Sequence, residues 1–192
     1  MRNLTKEIRI SIPGGNIDNA VGLLDQGAPM VIQHFVIATR MKLYNILDLL
    51  LSRGWDINAD VDTITPSALV YTFDDVMLLT WFLEHGADPN KRCQIRDCTP
   101  LSYAVAEASF EAIEILFRHG GSADQGQLLH YAAKRNQTDS LKVLKFVYGK
   151  NPEANVMNVN KLLDQDSPHD FAMNFRRMEE TPVFWILITI LR

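Results

Sequence analysis

The chain holds only two cysteines, Cys93 and Cys98, in 192 residues. Two thiols make no disulfide framework, so a reducing, intracellular compartment is expected, cytoplasmic or nuclear. Basic charge is not in excess: 19 Lys and Arg stand against 23 Asp and Glu. That balance argues against a dedicated nucleic-acid binder, which carries a surplus of cations. The strongest apolar run, Val183 to Leu191, has nine residues, against the roughly 20 that span a bilayer. No membrane partner is expected. The start, MRNLTKEIRISIPGG, alternates in charge and lacks the apolar stretch of a secretory leader. No Gly-rich phosphate loop, H-E-x-x-H or G-x-S-x-G is present. The motifs therefore assign no catalytic residue, no cofactor and no metal.

What is present is a repeated unit. Residues 65–90 read TPSALVYTFDDVMLLTWFLEHGADPN. Thr65-Pro66 predicts a helix start, since Pro suits the first helical position and Thr caps from before it. Val76, Leu78, Leu79, Phe82 and Leu83 then recur at helical spacing. Gly86 predicts the stop of that helix. Thr99-Pro100 repeats Thr65-Pro66 after 34 residues, and Gly54, Gly86 and Gly120 mark successive helix ends.

Self-similarity near 33 residues, with TPLH-like starts and GADPN-like ends, resembles the ankyrin repeat family. The resemblance implies an all-α fold, an α-solenoid of stacked helix-turn-helix repeats with β-finger loops, spanning 1–192 as a single domain. The repeats are placed at 4–30, 31–64, 65–98, 99–126 and 127–155. A long loop at 156–180 and a partial repeat at 181–192 follow. In repeat two the Thr-Pro pair is replaced by Gln33-His34, and Gly149 is expected to stop the last regular helix. The apolar helix 182–191 lacks a polar outer face and is expected to be covered, by the long loop, by a second copy of the chain or by further residues.

The family's usual work is binding other proteins. The resemblance thus implies a non-catalytic scaffold or adaptor with a protein partner on its concave face. That face is formed by finger residues and by the ends of the first helices. Carried over by alignment, its residues are Arg40, Met41, Asp62, Ile64, Thr72, Phe73, Arg96, Glu107, Lys134 and Arg135. Aromatic and Arg side chains are favoured anchors in interfaces. The alternative for Met41 and Phe73 is packing between repeats. His130 falls in the family's H-x-A-A position, where a structural role is implied. Asp74-Asp75 falls at the family's turn and is expected to cap the second helix. Trp81 is expected in the core and Trp55 partly exposed. An enzyme or small-molecule binder on the same scaffold is the second class, with 155–180 as a lid carrying Asp164, Asp166, His169 and Asp170.

Overall fold

The computed structural model describes residues 4–151, apart from Arg96. Those residues form nine α-helices, one 3₁₀ turn and no strand. In chain order the helices are α1 (Leu4–Ser11), α2 (Ile17–Asp25), α3 (Ile32–Arg40), α4 (Tyr44–Ser52), α5 (Val76–Glu84), α6 (Pro100–Glu107), α7 (Phe110–Arg118), α8 (Leu128–Lys134) and α9 (Ser140–Lys150). The 3₁₀ turn, Ala68–Tyr71, lies between α4 and α5. Helices pair as hairpins: α1 with α2, α3 with α4, α6 with α7, α8 with α9. The hairpins stack in two rows. In one, α3, the 3₁₀ turn, α6 and α8 touch in succession; in the other, α2 packs on α4 and α5 on α7. The described residues form the all-α solenoid expected from the sequence, and the loops expected as β-fingers hold no strand among them.

Each hairpin has a local cause. In α6, Thr99 Oγ1 accepts from the Ser102 N–H at 3.2 Å and Ser102 Oγ accepts from the Thr99 N–H at 3.1 Å. That reciprocal box satisfies two donors that a helix start leaves open. Ser109 Oγ caps α7 from the Ala112 N–H at 3.2 Å. Gly54, Gly86 and Gly120 follow the ends of α4, α5 and α7 with φ of 86°, 89° and 93°. Only a residue without a β-carbon adopts that conformation freely. The inward stripe of each helix closes one continuous core, with Phe35, Leu47, Leu69, Leu79, Phe82, Leu101, Ile113, Leu116 and Leu128 fully buried.

The repeats are also tied by side chains. Asn58 Nδ2 donates to the Gly86 carbonyl at 2.9 Å, and its Oδ1 accepts from the Asp88 N–H at 2.8 Å. Asn90 does the same one repeat later, to the Gly120 carbonyl at 2.9 Å and from the Ser122 N–H at 2.8 Å. Each amide spans two repeats with both of its ends.

Three expectations are corrected. Thr65-Pro66 does not open a helix. The Thr65 N–H and hydroxyl both bond Asp62, at 2.8 and 3.1 Å. Ser67 is extended, and only the four residues Ala68–Tyr71 coil, as 3₁₀. Gly149 does not stop α9, which runs on to Lys150. Trp81 is half-buried rather than enclosed, because its ring lies between Tyr44 and His85, stacked on the imidazole at 4.0 Å between centroids. The readings of 156–180 as a loop or lid, and of 181–192 as a partial repeat that self-associates, fall outside the described residues.

Candidate functional site

The loss of a full first helix in the third unit has a consequence for the surface. Where α3 has nine residues and α6 has eight, the segment between them coils over only four. Beside it lies a groove of about 760 Å³. Its floor is Val70, Tyr71, Phe73 and Val76. The end of α3 and the turn after it supply Arg40 and Lys42 along one side, and the end of α6 and the start of α7 supply Glu107 and Glu111 along the other. Asp74 also lines it.

The basic side is held in place. The Arg40 guanidinium lies 4.2 Å from the Tyr71 ring centroid, a cation–π geometry. Lys42 Nζ sits 2.6 Å from an Asp75 oxygen. The other Asp75 oxygen caps α5, accepting from the Met77 and Leu78 N–H groups at 2.9 and 3.0 Å. The expected capping role of Asp74-Asp75 therefore falls to Asp75. Its carboxyl is held below the usual carboxylate range by the Lys42 hydrogen bond first and by the Leu78 amide next. The Lys42 ammonium is raised correspondingly, chiefly by the same bond.

Of the residues expected on the concave face, Arg40, Phe73 and Glu107 come together around this groove. Arg40 and Glu107 are exposed, and Phe73 is half-buried against the core. Met41 is 48% exposed and Ile64 40%. Asp62 is exposed in the finger and receives the Ile64 and Thr65 N–H groups at 2.8 Å each. Those bonds, the Ile64 one foremost, hold its carboxyl below the ordinary value. Lys134 is exposed at the end of α8. Arg96 lies outside the described residues.

Two of the expected surface residues are interior and are corrected here. Thr72 is fully buried, its hydroxyl donating to the Leu69 carbonyl at 2.8 Å. Arg135 has a side chain 0% exposed. Its guanidinium donates to the Val105 and Ala108 carbonyls at 3.1 and 2.7 Å, and to Asp139 at 2.8 and 3.0 Å. It closes the open carbonyl end of α6 from the next repeat. Conversely, Lys42, Tyr71 and Glu111 line the groove and were not singled out from sequence. The spacing that aligns Arg40 with Glu107 also brings in their neighbours two to four residues on. The shortened coil that lets Tyr71 reach the floor left no such signal.

Elsewhere, Cys93 and Cys98 are buried on one finger with no disulfide between them, and the Cys93 N–H donates to the Cys98 carbonyl at 3.0 Å. His130 is half-buried with its ring edge-on to Tyr131 at 5.8 Å between centroids. Among the described residues no helix is long and apolar enough to cross a membrane.

No curated protein matches the chain. Residues 67–158 match the family model described as ankyrin repeats in three copies. That stretch, which holds Gly86, Thr99-Pro100 and Gly120, carries ankyrin repeats, in keeping with the resemblance read from the sequence.

Proposed function

We propose that this protein is a non-catalytic adaptor that binds another protein in the groove between the ends of α3 and α6. Ankyrin repeats are generally protein-interaction modules. The observation that carries the reading is the break in the stack at Ala68–Tyr71, which sets an apolar floor between two charged rims. Single exposed apolar residues are common on any surface, whereas an apolar depression rimmed by polar groups marks an interaction site. The surrounding stack holds these rims in place, so a partner costs little ordering entropy here. Within this reading Arg40, Phe73 and Glu107 contact the partner directly. Met41, Asp62, Ile64 and Lys134, outside the groove lining, are proposed to add further contacts to the partner.

The test is affinity capture with wild-type protein and with Val70→Asp plus Arg40→Glu, followed by mass spectrometry. Val70 lines the groove and Arg40 is exposed, so both chains should melt alike. The proposal expects at least one protein captured by the wild type and lost from the variant. Identical captures from two equally stable proteins would refute it.

A further inference from the structure

We infer that the groove takes a cationic, apolar-flanked segment of its partner, a Lys or Arg beside an aromatic or aliphatic side chain. This rests on the groove being the interaction surface. Three carboxylates line it, on Asp74, Glu107 and Glu111, and none has an ion-pair partner among the described residues. Of the two lining cations, Lys42 is spent on Asp75 at 2.6 Å, and Asp75 is not itself in the lining. Arg40 remains, turned onto the Tyr71 ring at 4.2 Å. The groove therefore presents an excess of negative charge over an apolar floor. Glu107 and Glu111 are exposed, so their charges act through water and chiefly steer and orient a partner. Tyr71 and Phe73 supply the contact area that holds it. A phosphate-rich partner meets repulsion from the same three carboxylates.

The orientation follows from the rims. The partner's cation lies on the α6–α7 side, against Glu107 and Glu111. Its apolar side chain lies over Tyr71 and Phe73. Any acidic residue of the same segment lies toward Arg40. Affinity falls as salt rises, because exposed charges are screened over about 8 Å at physiological ionic strength.

The experiment is selection of a random seven-residue phage library on three purified proteins: wild type, Glu107→Lys with Glu111→Lys, and Val70→Asp. The inference expects wild-type binders enriched in Lys or Arg next to an apolar residue. Those binders should lose at least about tenfold in affinity for the charge-reversed protein. The reversed protein should select acidic peptides instead. Binders that depend on Val70 but carry no cationic preference would overturn the inference and leave the protein-binding reading standing. Binders indifferent to both variants, or none enriched at all, would overturn both.

Discussion

Arg135 Nη2 donates to the Ala108 carbonyl at 2.7 Å, joining α8 to the end of α6 across one step of the stack. The same guanidinium reaches Val105, Gln137 and Asp139, so an always-charged group is buried with nearly all its donors used. Gln137 reinforces the joint by donating to the Glu107 carbonyl at 2.8 Å. Glu107 also lines the groove, so this joint supports one of the groove's two rims.

Arg135→Ala should cost about 2–3 kcal/mol, because it strips two buried carbonyls of their donor and leaves Asp139 without its guanidinium. Arg135→Lys should recover less than half of that, since one ammonium cannot reproduce the planar fork. Urea denaturation of both variants checks this. Equal stability of Arg135→Ala and the wild type would return the residue to the surface.

Asn90→Ala removes both cross-repeat bonds to Gly120 and Ser122. The expected loss is about 1–2 kcal/mol. Because repeats couple mainly to their neighbours, the loss should appear first on the C-terminal side of the cut. Hydrogen exchange at the Ser122 amide reads it directly, and exchange there should quicken. Asn58→Ala should act in the same way at Asp88.

Asp75 has two jobs that substitution can separate. Asp75→Asn keeps an acceptor for the α5 start and loses the ion pair with Lys42. Asp75→Ala loses both and should cost about 1 kcal/mol. The exposed ion pair alone is worth little. The Asp75 carboxyl titrates below its ordinary 3.8 in the folded chain. Its contribution is therefore complete above the unfolded value and is lost as pH falls through the lower, folded one. Thermal melts from pH 5 down to pH 2 should show a smaller decline for Asp75→Asn than for the wild type.

His34 gives a second, higher window. It is 1% exposed, and its Nδ1 has no hydrogen-bond partner among the described residues. Burial first, and the Arg9 charge second, hold its imidazole below the ordinary 6.5. The neutral form is thus favoured by folding. The associated stability is complete above 6.5 and is lost as pH falls through the folded value. Melting temperature should drop between pH 7 and pH 5, and His34→Gln should flatten that drop. An unchanged slope in the variant would show that protonation of His34 carries none of it.

The two parts of the chain most legible in sequence are those governed by local rules. Gly54, Gly86 and Gly120 end helices because the left-handed step excludes a β-carbon, and that constraint is written residue by residue. Thr99-Pro100 opens a helix because its hydroxyl is available to Ser102. The same dipeptide at Thr65-Pro66 opens no helix; there the threonine amide and hydroxyl both donate to Asp62, a loop contact that spacing alone does not reveal. Arg40, Phe73 and Glu107 are found by laying one repeat on the next. Arg135 is misplaced by the same operation, since the end of a helix is a surface only where the neighbouring repeat leaves it uncovered. The pattern Arg135-x-Gln137-x-Asp139 was a hint, placing three mutually bonding groups within five residues.

The central claim is that the groove over Val70, Tyr71 and Phe73 receives another protein. A photo-crosslinking amino acid at position 70, compared with one at position 141, tests it most directly. Leu141 is 36% exposed on α9, outside the groove lining. Irradiation in an extract of the native host should give a discrete heavier adduct from position 70, absent from position 141 and suppressed by Glu107→Lys with Glu111→Lys. An adduct from position 141 alone, or the same adduct from both positions, would contradict the account.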